Sequence, residues 1–163
     1  MIFALCMVSC IACGIASKFN FDANRKHTTL QGVNMAQIKI FGIREVLYPK
    51  REKLSEVLHS CIMDAFDCPR DKKAHRFIYL EKDSFFYPDG RSDEYTIIEI
   101  SVFEGRSIAA KKKLYRLIFE RFEKELVITS TDVEITIFET PMHNWGIRGK
   151  SGDDLVLNYK VNV

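Results

Sequence analysis

The feature that most constrains this chain is an internal repeat with a period of sixty residues. Segment 38–40, Ile-Lys-Ile, matches segment 98–100, Ile-Glu-Ile. The match continues sixty residues apart at Lys53-Leu54 with Lys113-Leu114, Val57-Leu58 with Leu117-Ile118, and Ile62 with Phe122. A fixed internal period marks one structural unit used more than once. The chain from about residue 35 onward therefore contains one unit twice.

Each half of the repeat predicts a strand, a helix and a second strand. Apolar and polar residues alternate over 37–43 and again over 95–103, which predicts the opening strands. The first helix is predicted to start near Pro49, because proline suits the first helical position. Its apolar stripe has helical spacing and consists of Leu54, Val57, Leu58, Cys61, Ile62, Ala65 and Phe66.

The second half gives the same pattern with a clearer helix start. Ser107 is a favourable N-cap, and the apolar face that follows it consists of Ala110, Leu114, Leu117, Ile118, Phe122 and Leu126. Closing strands are predicted at 76–81 and 133–139. Both helices are long enough to cross over between parallel strands. The expected fold is α+β, with two β-α-β units forming a four-stranded mixed sheet that carries both helices on one face.

The second face of that sheet predicts self-association. Ile97, Phe138 and Phe41 would point away from the helices, and an uncovered apolar face favours packing between protomers. After the turn-rich segment 149–153, Leu155, Leu157, Tyr159 and Val161 alternate as a final strand. We expect residues 149–163 to form a C-terminal hairpin or strand that pairs with a neighbouring subunit.

Charge and cysteine usage exclude several classes of function. The first 34 residues carry three basic side chains and one acidic one, which leaves 21 of each in the remainder. A neutral body gives no electrostatic reason to expect nucleic acid as a partner. The five cysteines form no pattern of zinc ligands, so neither a metal nor a cofactor is predicted. This cysteine usage fits a reducing cytoplasm.

Residues 1–34 are predicted to lie outside the fold. The apolar run over 1–16 is shorter than the roughly 20 residues that span a bilayer, so no membrane span is expected. Two main explanations stay open: a gene start assigned too far upstream of Met35, and a signal peptide that lacks its basic first region. A lipoprotein signal at Cys10 or Cys13 has no convincing small-residue context. The expected location is the cytoplasm, or the periplasm only if residues 1–34 are a true signal peptide.

Three motifs in order, together with the duplicated layout, resemble the tautomerase superfamily. They are Asp64-Ala-Phe66 with Pro69, then Phe103-Glu-Gly-Arg-Ser107, then Phe138-Glu-Thr-Pro-Met-His-Asn-Trp145-Gly146. Within the superfamily the chain is similar to the branch that includes malonate semialdehyde decarboxylase. The resemblance covers residues 35–148, which are expected to form the tautomerase-like domain.

The resemblance implies a mechanism and an assembly. Members use an amino-terminal proline, exposed by removal of the initiator Met, as a general acid or base in a pocket between subunits of a homotrimer. Ala36 matches that proline. An α-amino group titrates at about 7.7–8.0, and an apolar pocket or a nearby cation lowers that pKa. The amine of Ala36 would act as a base only if Ala36 is the mature amino terminus.

The resemblance also implies roles for other side chains. Arg106 matches an arginine that binds the substrate carboxylate, whereas Glu104 replaces a second arginine of the decarboxylase branch, which weakens the case for decarboxylation. His75 and Arg76 open the second strand near a water-orienting Asp of that branch; His75 is a candidate proton carrier and Arg76 a candidate substrate ligand. Trp145 is expected to wall the pocket or to anchor the subunit contact.

Three functions are compatible with these residues. The first is a tautomerase-like isomerase acting on a small enol or keto carboxylic acid. The second is a non-catalytic oligomeric domain that binds a ligand in a remnant pocket. The third, a ferredoxin-like regulatory or nucleic-acid module, is disfavoured by the neutral charge and by the absence of exposed aromatic–basic strand motifs.

Overall fold

A computed structural model describes residues 36–156 and 161–162 of the chain. The predictions made above for residues 1–34, Met35, Leu157 and Tyr159 concern residues outside these ranges. The elements are β1 (Gln37–Ile43), α1 (Arg44–Phe66), β2 (His75–Leu80), β3 (Thr96–Phe103), α2 (Ile108–Leu126), β4 (Val133–Thr140), β5 (Gly146–Ile147) and β6 (Lys150–Ser151).

The four long strands form one mixed sheet in the order β2-β1-β3-β4. Within each repeat the two strands are parallel and joined by a helix, whereas β1 and β3 pair antiparallel. Lys39 lies opposite Glu99, so the two repeats meet at equivalent positions. This arrangement confirms the predicted fold of duplicated β-α-β units.

The core lies between the sheet and the two helices. Every residue of the apolar stripe predicted for α1 is buried, and so are Ala110, Leu114, Ile118, Phe122 and Leu126 of α2. Leu117 is only partly buried, at the edge of the same cluster. The sheet contributes alternate residues to this core, namely Ile38, Ile40, Ile98, Ile100 and Val102. The helical and strand periods read from the sequence therefore identify the faces that become buried.

The start predicted for α1 is wrong by one turn and a half. The helix begins at Arg44, directly after Ile43, and Pro49 lies inside it. Leu47 is buried and anchors the early turn, so the strand continues into the helix without a loop. Pro49 cannot donate to the carbonyl of Glu45, and this cost near the helix end is outweighed by the burial of Leu47. The second strand also begins one residue early, at His75.

The second face of the sheet is partly covered by the chain itself. At one end, the connection 81–95 packs Phe85 and Tyr95 against Ile43. At the other end, the C-terminal segment packs Trp145, Leu155 and Val161 against Phe103. Leu155 follows a short 3-10 turn rather than lying in a strand. Between these covers lie the Lys39–Glu99 ion pair, with 3.1 Å between Nζ and Oε2, and Phe138, which is 47% exposed.

Among the described residues, neither helix combines the length and the apolar content that crossing a bilayer requires.

Candidate active site

One end of the sheet brings together the start of β1 and the ends of β3 and β4. Ile38 pairs with Ile100, and Ile100 pairs with Ile137. Side chains two residues apart on a strand share a face. Ala36, Val102 and Glu139 therefore form the next row along the helix-facing side. Ala36 is 2% exposed and belongs to the core cluster.

The loop between β3 and α2 brings Arg106 to this end. Gly105 has φ +124°, a backbone conformation that glycine adopts most readily, and it turns the chain toward the helix. Ser107 caps the helix as predicted, with its Oγ accepting a hydrogen bond from the Ala110 N–H at 3.1 Å. Arg106 thus directly precedes a helix N-terminus, where the aligned peptide dipoles favour an anion.

Arg106 is 4% exposed, and only part of its guanidinium is paired. Its Nη1 donates to the Phe103 carbonyl at 2.8 Å, and its Cζ lies 5.4 Å from the centre of the Phe66 ring. Nε and Nη2 are buried without a hydrogen-bond partner among residues 36–156 and 161–162. These two nitrogen atoms form the edge that a carboxylate binds with two parallel hydrogen bonds.

The thiol of Cys68 lies beside the same guanidinium. Burial raises the pKa of Cys68, and the positive charge and hydrogen bonding of Arg106 oppose that rise. Among the described residues, the contacts of Arg106 include the Cys68 thiol, the Phe66 ring and the Phe103 carbonyl. A buried cation in such surroundings is costly unless an anion joins it.

Glu139 and Lys111 form a charged pair on the helix-facing side, next to this site. Lys111 Nζ lies 2.7 Å from Glu139 Oε2, and both side chains are about three-quarters buried. Glu139 Oε1 is buried and has no partner in the part of the chain that the structure describes. Sequence reasoning missed this pair, although the alternation Val133, Ile135, Ile137 already assigns position 139 to the helix-facing side.

His75 lies on the other side of Ala36 from Arg106, under α1. Its Nδ1 is 2.9 Å from Ser55 Oγ, and its ring meets the His59 ring edge-on at 5.9 Å. Burial lowers the pKa of His75 to about 4, helped by His59 and Lys73. The imidazole is therefore neutral at neutral pH. β1 separates it from β3, the strand that leads to Arg106.

Arg76 and Trp145 lie on the opposite face of the sheet. Arg76 is exposed, and its Nη1 donates to Gln37 Oε1 at 3.0 Å. Trp145 packs edge-on against Phe103 with ring centres 5.3 Å apart, and its Nε1 donates to Thr140 Oγ1 at 2.6 Å. Within one chain the structure thus brings Ala36 and Arg106 to one end of the helix-facing side, and does not bring Arg76 or Trp145 to them.

No group of three metal-ligating side chains is found among the described residues.

Comparison with protein families gives a match over residues 72–148 to a family described as tautomerase enzyme. Among curated proteins, the chain is 29% identical over 99 residues to the probable tautomerase YusQ of Bacillus subtilis (strain 168), covering 58% of this chain and 78% of the relative. The probable tautomerase YrdN of the same organism is 28% identical over 99 residues, covering 58% and 76%. These relatives point to an enzyme.

Solved structures share the fold over almost their whole length. A malonate semialdehyde decarboxylase has a TM-score of 0.66 at 21% identity, covering 74% of this chain and 99% of that one. A native fused 4-OT has a TM-score of 0.66 at 17% identity, covering 73% and 98%. The three sequence motifs, the duplicated fold and these matches agree with one another. Residues 72–148 are thus similar to the tautomerase enzyme family, and the chain shares the fold of these solved structures.

Proposed function

We propose that the protein is a tautomerase-like isomerase that moves a proton on a small enol or keto carboxylic acid. Arg106 binds the substrate carboxylate, and the amino group of Ala36, as the mature amino terminus, is the acid or base. The observation that carries this proposal is the buried Nε–Nη2 edge of Arg106. A carboxylate is the ligand whose charge and geometry satisfy both nitrogen atoms at once.

The position of Ala36 supports its role. It begins β1 at the same end of the sheet as Arg106, in apolar surroundings. Both the nearby guanidinium and the burial lower the pKa of an amine, so more of it is neutral and basic at pH 7 than in an exposed peptide. The proposal requires that residues 1–35 are absent from the active protein.

Association of the chain into a homotrimer would complete the proposed active site. Fused 4-OT proteins with this fold have been solved as asymmetric and symmetric trimers. A homotrimer of this chain would cover Phe138 and the exposed middle of the sheet. In that assembly Arg76 and Trp145, on the face away from the helices, would reach the site of a neighbouring subunit. His75 stays a candidate proton carrier, acting through its neutral imidazole.

One experiment tests the amine directly. Protein that begins at Ala36 is compared with protein that keeps extra residues before it, using ketonisation of phenylenolpyruvate as the assay. We expect activity only in the first. Equal activity in both would remove the amine of Ala36 from the mechanism. Ala36→Pro in the shortened protein should raise the rate, because proline supplies a more basic secondary amine.

The second candidate function is ligand binding without catalysis. It is favoured by the alanine at position 36, which departs from the proline of the superfamily. It predicts that small carboxylic acids bind in an Arg106-dependent manner while neither form of the protein, nor the Ala36→Pro variant, accelerates ketonisation.

A further inference from the structure

The C-terminal end of α1 packs against Arg106. Phe66 is the last residue of this helix and is fully buried. Asp67 follows with left-handed backbone angles, φ 51° and ψ 38°, and Cys68 comes next. The Cζ of Arg106 lies 5.4 Å from the centre of the Phe66 ring, and its charge and hydrogen bonding reach the Cys68 thiol. The end of the first helix thus contacts the arginine that precedes the second.

The sixty-residue repeat provides an internal comparison for this contact. Both helices end at a residue with left-handed backbone angles, Asp67 and Val127, which are sixty positions apart. The three residues of the contact have aliphatic counterparts in the other half of the repeat, namely Leu126 for Phe66, Ile128 for Cys68 and Val46 for Arg106. Since Leu126 and Ile128 are also buried, packing at such a helix end requires neither a ring nor a thiol. The ring and the thiol occur where the repeat carries the arginine.

The contacts of Arg106 restrict the orientation of its guanidinium. The face of an aromatic ring attracts a cation, which keeps the guanidinium beside Phe66. Nη1 donates to the Phe103 carbonyl at 2.8 Å, which limits rotation of the group. Among the described residues, Nε and Nη2 then have no hydrogen-bond partner. An arginine held in this way loses less conformational entropy on binding a carboxylate than a mobile one.

The thiol beside the guanidinium leaves its positive charge available. Sulfur is a weak hydrogen-bond acceptor. Burial raises the pKa of Cys68, so the thiol is neutral at neutral pH. A carboxylate in its place would pair with the arginine and compete with a ligand. Cys68 therefore contacts Arg106 without neutralising it.

From these contacts, and resting on the proposed function, we infer a role for the end of α1. We propose that Phe66 and Cys68 are positioning residues that hold Arg106 for carboxylate binding. The ring orients the guanidinium, and the thiol fills the space beside it without cancelling its charge. The first half of the repeat thereby prepares the arginine that the second half supplies.

The variant Phe66→Leu tests the ring, because leucine is the residue at the equivalent end of α2. Dissociation constants of 3-phenylpropionate are measured by titration calorimetry on protein that begins at Ala36. We expect Phe66→Leu to bind this acid about three- to thirty-fold more weakly, as for the loss of one cation–π contact. Phe122→Leu, equally buried in the same core cluster, is the matched control and should keep the wild-type affinity. Equal weakening in both variants would overturn the role of the ring.

Two substitutions of Cys68 separate a neutral neighbour of Arg106 from a competing anion. Cys68→Ser is small and uncharged and should keep the wild-type affinity. Cys68→Asp should bind 3-phenylpropionate at least about ten-fold more weakly, because its carboxylate pairs with the guanidinium. Thermal melts report whether both variants fold, and Cys61→Ser, at a buried position on α1, is the control. Equal affinities in folded Cys68→Ser and Cys68→Asp would overturn the role of the thiol.

The ionisation of Cys68 gives a second readout, which packing alone would not move. In protein that begins at Ala36 and carries Cys61→Ala, Cys68 is the one remaining cysteine, so the carbon-13 shift of its Cβ follows a single thiol. Saturating 3-phenylpropionate should raise the pH at which this thiol ionises, because a bound carboxylate neutralises the guanidinium that favours the thiolate. Arg106→Met should raise it as well and remove the effect of the ligand. The same titration with and without bound ligand would overturn the coupling of Cys68 to Arg106.

The variant Arg106→Met also separates this inference from the proposed function. Unchanged binding of 3-phenylpropionate in Arg106→Met would overturn the proposed anion site itself. If Arg106→Met abolishes binding while Phe66→Leu binds like Phe122→Leu and Cys68→Asp binds like Cys68→Ser, the proposed function stands and the positioning roles are refuted.

Discussion

Replacing Arg106 by methionine should make the ligand-free protein more stable while removing its affinity for carboxylates. Each buried unsatisfied donor costs about 1–3 kcal/mol, so Nε and Nη2 together cost about 2–6 kcal/mol. The substitution removes this cost. It also removes the hydrogen bond to the Phe103 carbonyl and the contact with the Phe66 ring. The lost hydrogen bond costs about 1–3 kcal/mol and the lost contact with the ring about 0.5–2 kcal/mol.

The middle of each range gives a net stabilisation of about 1 kcal/mol. For a chain of this size that corresponds to a rise in Tm of about 2–4 °C. The expected effect of Arg106→Met on ligand affinity is larger than its effect on stability. Two charge-assisted hydrogen bonds are worth about 3–6 kcal/mol, so the affinity for 3-phenylpropionate should fall by about 10² to 10⁴-fold.

The assay is urea unfolding at a fixed protein concentration, with and without 3-phenylpropionate. Ligand at 100 times its dissociation constant should stabilise the wild type by about 2.7 kcal/mol and leave Arg106→Met unchanged. Arg116→Met, at an exposed position on α2, is the control and should shift stability by less than about 0.5 kcal/mol. A loss of more than about 1 kcal/mol in Arg106→Met, with ligand stabilisation intact, would refute the reasoning.

Three further outcomes follow from the structure. Burial holds the pKa of His75 at about 4 in the folded protein, so the unfolded chain binds a proton first as the pH falls below about 6.5. The free energy of unfolding should therefore drop by about 3 kcal/mol between pH 6.5 and pH 4. Urea unfolding of His75→Gln should show a weaker dependence on pH. Burial raises the pKa of Cys61 to about 11 and that of Cys68 above its usual value, so both thiols should react slowly in the folded protein. In protein without the first 34 residues, which removes the other three cysteines, an aromatic disulfide reagent should label both thiols at least about 100-fold faster in denaturant than in buffer. Gly105→Ala should lower the free energy of unfolding by about 1–3 kcal/mol, since φ is +124° and the added Cβ would clash with Oδ1 of Asn162. Gly146→Ala is the control and should have a smaller effect, because nothing lies within 4 Å of a Cβ added there.

The fold was accessible from the sequence because its signals are periodic and occur twice. Strand β1 has the predicted bounds, since strict alternation leaves no other face for Ile38 and Ile40. The same alternation also predicts the side-chain orientations on β2. His75 and Arg76 are consecutive on a strand, so they had to face opposite sides of the sheet. A single subunit therefore does not direct both side chains into one site.

The start of α1 and the charged pair near the site depended on packing rather than on local signals. Pro49 is a sound local signal for a helix start, but the burial of Leu47 extends the helix backward past it. Glu139 lies on the apolar side of β4, where a carboxylate is tolerated because it pairs with Lys111 of the preceding helix, α2. That pairing brings together residues 28 positions apart, which propensity and motif do not report.

The junctions between strand and helix differ between the two halves of the repeat. In the second half a glycine-containing loop leads into α2 and delivers the arginine, whereas in the first half Ile43 passes straight into α1. The arginine of the proposed anion site therefore lies at only one of the two junctions. A trimer would then offer three equivalent centres rather than six. In saturation mutagenesis, substitutions at residues 104–107 should therefore lower activity. Substitutions at the corresponding junction of the first repeat should be tolerated wherever packing is preserved.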